Sequence, residues 1–226
     1  MFGKRKVTAI ILVAGNSTRF GSGDNKNLQN VKEKPVLAYS LEAFNKNQYV
    51  DKITVTVRKK DENEVRKIIK NAKCIKPVQI IIGGETRKDS VYNSIKNDEA
   101  DIVIIHDGAR PMIKQHYITN CIEAMKMFKG VTIGAKSKDT IKIADNSGII
   151  INSTQRENTW IIQTPQCFQR SILFQMHKKF NDEGITDDCM LLEKGGYKVK
   201  ILEGDYTNIK ITTKEDMNII NEFMKQ

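Results

Sequence analysis

The chain has 226 residues, 39% hydrophobic and 28% charged, the size and composition of one packed soluble domain. Its apolar runs, such as Ala9 to Val13, are too short to span a bilayer, so no membrane partner is expected. Lys and Arg total 37 against 27 Asp and Glu, a formal charge of +10 that favours anionic ligands. No nucleic-acid motif accompanies that charge, so nucleic acid is not an expected partner, and a chain simply rich in Lys, Asn and Ile is the plain alternative reading of the charge.

Lys4-Arg5-Lys6 is followed by a strand-length run without a small-residue cleavage site, so no signal peptide is read and a cytoplasmic location is expected. Cys74, Cys121, Cys167 and Cys189 are scattered, with neither zinc spacing nor a disulfide framework. His106, His116 and His177 show no metal-ligand spacing either.

Val7 to Val13 reads as a buried strand. Residues 14–27 are polar and glycine-bearing, hence a loop. Pro35 opens a helical pattern through Phe44. Ile53 to Val57 is a second strand, 61–73 a charged amphipathic helix, and Gln79 to Ile82 a third strand. A helix over 87–96, a strand over Ile102 to Ile105, a helix over 113–128 and a strand over Val131 to Gly134 follow. This alternation predicts an α/β fold with a mostly parallel sheet.

The pattern changes at Lys138. Strand-like runs around the turn Asn146-Ser147-Gly148 predict a protruding β-arm over about 138–162 of an otherwise single domain spanning 1–226. Beyond it, helices are expected near 169–181 and 187–195, and strands near 197–202 and 208–211. A last helix starts after Thr212, whose spacing to Glu215 suits a capping box.

In open α/β sheets, ligands bind outside the carboxyl ends of the strands. The first such end is Ala14-Gly15-Asn16-Ser17-Thr18-Arg19, followed by Lys26. Small residues admit a phosphate chain to the backbone, and the two cations neutralise it. An ordinary surface loop is the plain alternative, since neither a Walker loop nor a dinucleotide fingerprint is present. The third strand ends at Gly83-Gly84, where a flat base could pack, or where a glycine turn simply precedes a helix. The fourth ends at His106-Asp107-Gly108-Ala109-Arg110-Pro111. An aspartate there can hold Mg²⁺ at a phosphate chain, or cap a turn. Lys210 singly reads as solvated, and Thr186 as a helix N-cap, a ligand, or both. No covalent nucleophile motif occurs, which fits nucleotidyl transfer, where positioning and charge stabilisation do most of the catalysis.

Taken in order, these segments resemble the 2-C-methyl-D-erythritol 4-phosphate cytidylyltransferases of non-mevalonate isoprenoid biosynthesis. The resemblance is carried by Ala14-Gly15, Arg19, Lys26, Lys34-Pro35-Val36-Leu37, Gly83-Gly84-x-x-Arg87-x-Asp89-Ser90-Val91 and His106 to Pro111. It continues through Asp139-Thr140-x-Lys142, Arg156, Trp160, Gln163-Thr164-Pro165-Gln166-x-Phe168, Thr186-Asp187-Asp188 and Asn208 to Thr212. It implies a Rossmann-like nucleotidyltransferase sheet, mostly parallel with helices on both faces, a homodimer linked by the arm, and Mg²⁺. It implies transfer of CMP from CTP to the methylerythritol phosphate. Arg19, Lys26, Arg156 and Lys210 stand at the catalytic positions. Ala14, Gly15, Gly84, Glu85, Ser90 and Asp107 stand at the nucleotide positions, with Asp107 also the metal residue. Arg110, Thr140, Arg156 and Thr186 stand at the acceptor positions, Thr140 and Arg156 coming from the partner's arm.

Asn27, Val13, Thr18 and Glu85 depart from the usual family pattern. The competing readings are a ribitol 5-phosphate cytidylyltransferase, a sugar-nucleotide transferase using another base, and a non-catalytic nucleotide-binding protein of the same fold. Gly108-Ala109, Arg156 and Trp160 favour methylerythritol phosphate over ribitol phosphate.

Overall fold

The computed structural model describes residues 5–15, 20–21, 25–180 and 184–225. Its centre is a seven-stranded sheet, and the described residues form eleven strands altogether. In chain order these are β1 (Val7–Leu12), β2 (Asn30–Val31), β3 (Lys34–Pro35), β4 (Lys52–Val57), β5 (Val78–Ile82) and β6 (Ile102–Asp107). They continue as β7 (Gly130–Lys136), β8 (Lys142–Ala144), β9 (Ile150–Ser153), β10 (Trp160–Gln169) and β11 (Val199–Glu203). The helices are α1 (Val36–Lys46), α2 (Glu62–Asn71), α3 (Arg87–Ile95), α4 (Gln115–Ala124), α5 (Arg170–Lys179), α6 (Asp188–Lys194) and α7 (Lys214–Phe223).

The central order is β11-β7-β10-β6-β1-β4-β5. Every neighbouring pair is parallel except those of β10, which runs antiparallel to both β6 and β7. Alternation along each strand sorts the core onto two faces. Ala9, Ile11, Ile53, Val55 and Ile104 pack with residues of α1, α2 and α4. Ile10, Val103, Ile105 and Phe168 pack with residues of α3, α5 and α6. Burial on both faces explains why β1 and β6 read as continuous apolar runs. A smaller cluster joins Val31, Val36, Ala109, Ile211 and Ile220, seating α7 beside the site.

Three expectations need correction. Residues 208–211 form no strand: Asn208 and Ile211 are buried, but Ile211 N–H reaches only the Ala109 carbonyl, at 2.9 Å. The capping box of α7 uses Thr213 and Asp216, one residue later than the Thr212–Glu215 spacing suggested. Residues 160–162 belong to β10 of the central sheet, as do 163–169, which the sequence pattern did not mark as a strand. Between β7 and β10 the chain makes a separate two-stranded ribbon, β8 with β9, whose residues are all exposed. Because β10 is antiparallel, both roots of this ribbon lie at the carboxyl end of the parallel strands, the same edge as the cleft described next.

Candidate active site

The cleft lies where β1, β5 and β6 end, and two adjoining cavities form it. The first, of about 290 Å³, is lined in part by Ala14, Gly15, Lys26, Gly84, Glu85 and Ser90. The second, of about 490 Å³, is lined in part by Arg110, Thr164, Gln166, Thr186 and Asp187. Arg87, Asp107 and Lys210 line both.

Short contacts close the first cavity. A Cβ on Gly83 would lie 2.6 Å from Ala14 Cβ and 2.7 Å from Ser90 Oγ. Only glycine lets the β5 end meet the β1 loop and α3 this closely. Gly83 therefore packs on the protein's own chain, as a glycine turn before a helix requires, while Gly84 also lines the first cavity. Gly84 N–H donates to Ser90 Oγ at 3.1 Å, and α3 opens on a capping box of Thr86 and Asp89. Lys26 begins a 3-10 turn whose cap, Asn25, is buried. Asn25 Nδ2 donates to Val13 O at 2.9 Å and to Asp61 Oδ2 at 2.8 Å, fixing the loop from beneath. Asn27, one of the departures from the family pattern, is buried, and its Nδ2 donates to Asn25 Oδ1 at 2.8 Å.

Asp107 is the last residue of β6 and the hub of the cleft. Its Oδ2 lies 2.6 Å from Lys210 Nζ, and its Oδ1 lies 3.6 Å from Arg87 Nε. Burial pushes its carboxyl upward, but Lys210, Arg87 and Arg110 outweigh burial and hold it well below the usual carboxylate range. Burial likewise pushes the Arg87 guanidinium down, and Asp188 and Asp107 more than reverse this, keeping it charged. Burial lowers Arg110, the more so because Arg87 is near, although Asp107 opposes the shift. Arg110 Nη1 donates to Asn208 O at 2.6 Å, while its buried Nε has no hydrogen-bond partner among the described residues. Such an orphan donor is costly until an acceptor arrives.

Beneath Asp107, His106 is fully buried and edge-on to Phe44. Its Nε2 lies 3.2 Å from Arg110 O, an acceptor only, so the ring carries its proton on Nε2. The Thr164 hydroxyl accepts from Asp107 N–H at 3.1 Å and donates to His106 Nδ1 at 2.9 Å. Burial lowers the His106 pKa to about 4, so the ring is neutral. The unfolded chain, with a histidine pKa of about 6.5, binds more protons between these values. Stability is therefore full above pH of about 6.5 and falls toward pH 4, by up to about 3 kcal/mol. Melting temperatures across this window should show the loss, and His106→Gln should flatten the slope.

The structure thus gathers Ala14, Gly15, Lys26, Gly84, Glu85, Ser90, Asp107 and Lys210 in one cavity, and Arg110 and Thr186 in its neighbour. Arg19 lies outside the described residues. Thr140 and Arg156 line neither cavity. They meet on the exposed arm, where Arg156 Nη2 donates to Thr140 Oγ1 at 3.3 Å. Thr186 is not the cap of α6: that role falls to Asp187, which accepts from Met190 N–H at 3.1 Å. Arg87 was visible only as part of a motif. It stands in the middle of the charge cluster, and nothing local in the sequence signals its partner 101 positions away.

The donor set suits a hard cation carried in on a polyphosphate. Asp107 is the carboxylate on the wall shared by both cavities, with Glu85 lining the first and Asp187 and Glu193 the second, and no group of three or more His, Cys, Asp or Glu able to hold an ion occurs among the described residues. Mg²⁺ characteristically takes one or two carboxylates and completes its shell with phosphate oxygens and water.

Residues 7–226 match the family model described as 2-C-methyl-D-erythritol 4-phosphate cytidylyltransferase. A relative of that name from Caldanaerobacter subterraneus subsp. tengcongensis is 40% identical, covering 97% of this chain and 99% of its own. Another, from Clostridium beijerinckii, is 37% identical over 97% of this chain and 98% of its own. The crystal structure of 4-diphosphocytidyl-2C-methyl-D-erythritol synthase from Anaerococcus prevotii superposes with a TM-score of 0.88 at 30% identity, covering 99% of this chain and all of that one. With sequence and fold in agreement over nearly its whole length, the chain belongs to the 2-C-methyl-D-erythritol 4-phosphate cytidylyltransferase family.

Proposed function

We propose that the protein transfers CMP from CTP to 2-C-methyl-D-erythritol 4-phosphate, releasing pyrophosphate and forming the CDP-alcohol of isoprenoid biosynthesis. The observation that carries this reading is the pair of adjoining cavities that share Lys210, Asp107 and Arg87 on one charged boundary. A phosphate oxygen of the acceptor attacks the α-phosphorus of CTP. One P–O bond forms, the bond to the β-phosphate oxygen breaks, and pyrophosphate leaves with that electron pair. The acceptor phosphate has a second pKa of about 6, so it is already largely dianionic at neutral pH and needs no general base. The barrier is the approach of two anions. Lys26 and Lys210 offset it at the nucleotide, and Arg110, with its orphan Nε, offers donors for the acceptor phosphate. Arg19 and Thr186 take the nucleotide and acceptor roles that their positions in the motifs suggest.

Asp107 would hold Mg²⁺. That ion supplies charge neutralisation on the phosphate oxygens when bound.

The second copy of the chain completes the acceptor site in this reading. Arg156 and Thr140 sit on a ribbon with exposed Ile143, Ile149, Ile150 and Ile151, an apolar surface that a partner protomer would cover. Arg156→Ala should raise KM for the acceptor by about tenfold or more while leaving KM for CTP nearly unchanged. Steady-state kinetics varying each substrate in turn check this, and an unchanged acceptor KM would remove the arm from the site. No helix among the described residues is long and apolar enough to cross a membrane, and Cys121, Cys167 and Cys189 are buried free thiols. Both are compatible with work in the cytoplasm.

The deciding assay is pyrophosphate release with CTP and Mg²⁺, with methylerythritol phosphate and ribitol 5-phosphate supplied separately. Release with the first acceptor alone is expected. Release with ribitol phosphate alone would keep the chemistry and replace the substrate. Release with neither, from folded protein, would sink the reading.

A further inference from the structure

Arg87 occupies the first position of α3, on the wall common to both cavities. A helix N-terminus carries partial positive charge, so a cation is electrostatically misplaced there. A long side chain also loses rotamer freedom when fixed. Something must hold it. Its Nη1 donates to Asp188 Oδ2 at 2.7 Å. The Asp188 side chain is 2% exposed, and its other oxygen lies 3.4 Å from Nε2 of the wholly buried His177 side chain. Five groups thus run in line from the cleft into the helix layer: Lys210, Asp107, Arg87, Asp188 and His177.

The start of α6 is itself fixed. Asp187, next to Asp188, caps the helix and accepts from Gln166 Nε2 on β10 at 3.0 Å. Two successive acids therefore tie one helix to two walls of the cleft. Buried ion pairs add little net stability compared with apolar packing, so stability alone does not account for Asp188. Its geometric effect is to aim a guanidinium.

We propose that Asp188 is a positioning residue for nucleotidyl transfer, holding the Arg87 guanidinium at the boundary where the two phosphate-bearing substrates meet. This rests on the functional reading above. With Asp188 in place, Arg87 presents a fixed cation to both substrates. Without it, Arg87 turns toward Asp107 and competes with Lys210 for the same carboxylate.

The test compares wild type, Asp188→Asn, Arg87→Gln, Arg87→Lys and the Arg87→Gln/Asp188→Asn double variant. The readouts are kcat, KM for each substrate and the melting temperature. Asp188→Asn should lower kcat by about 10- to 100-fold, the range expected for a misplaced group, with KM for CTP within about threefold of wild type. The double variant should be no slower than Arg87→Gln alone, because Asp188 acts through Arg87. Wild-type kcat in folded Asp188→Asn, or losses that multiply in the double variant, would overturn the proposal. If Asp188→Asn does not fold, Arg87→Lys decides: it keeps the charge without the fork, and wild-type kcat in it has the same overturning force. A wild-type protein without transfer activity would instead defeat the functional reading itself.

Discussion

Lys26→Ala is expected to lower kcat by about 10²-fold or more, the loss of a fixed cation contributing about 3 kcal/mol to the transition state. The size of the effect follows from how firmly Lys26 is held. Its 3-10 turn is capped by the buried Asn25, whose Oδ1 accepts from Asn27 N–H and whose Nδ2 bonds Val13 O and Asp61. Burial raises the carboxyl of Asp216, at the start of α7, hydrogen bonds from Thr213 and Thr212 more than reverse this, and the Lys26 ammonium adds to the lowering. A preorganised cation of this kind needs no rearrangement when charge builds on the α-phosphate and the departing pyrophosphate. Removing it should therefore act on kcat more than on KM for CTP. Steady-state kinetics on a mutant with a normal melting curve check this, and retained wild-type kcat would take Lys26 out of the mechanism.

Asp107→Asn is expected to cost more, about 10³-fold in kcat/KM, together with the Mg²⁺ response of the rate. The amide is nearly isosteric but neutral. It leaves Lys210, Arg87 and Arg110 around the cleft with Asp188 paired to Arg87 and Asp187 nearby. Folding stability should fall as well. The loss should be roughly 2 kcal/mol, below that of a fully buried pair, because Lys210 is 38% exposed and solvent screens part of its interaction. Metal titration of activity, paired with denaturant unfolding, separates the two effects. An Asp107→Asn enzyme with unaltered kcat/KM and metal dependence would show that the carboxylate is only a structural counter-charge.

What could be read from sequence follows the physics of each segment. β1 and β6 were legible because strands covered on both faces are continuous β-branched runs. β10 was not, because Pro165 within 160–169 argues against a central strand. The sheet accommodates it by a register shift between Ile162 and Gln166, the kind of irregularity that a single chain's pattern cannot reveal. Residues 208–211 failed in the opposite sense: Ile209 and Ile211 alternate like a strand, yet one side of the segment packs on α7 and the other lines the cleft. Lys26, Asp107 and Lys210 were legible as residues at loop and strand ends. The pairing of Arg87 with Asp188 was not, since it joins the first turns of two helices, α3 and α6, far apart in the chain.

The docking of residues 208–211 also has a consequence for hydrogen exchange. The segment that carries Lys210 is pinned by Ile211 N–H to Ala109 O at 2.9 Å and by the Arg110 guanidinium to Asn208 O at 2.6 Å. It has no ladder of strand partners to share the load. Its opening is thus a local event, governed by a free energy smaller than that of the sheet. The Ile211 amide, buried but singly bonded, is therefore a built-in clock for this edge of the cleft: its deuterium uptake counts how often the backbone next to Lys210 comes off Ala109.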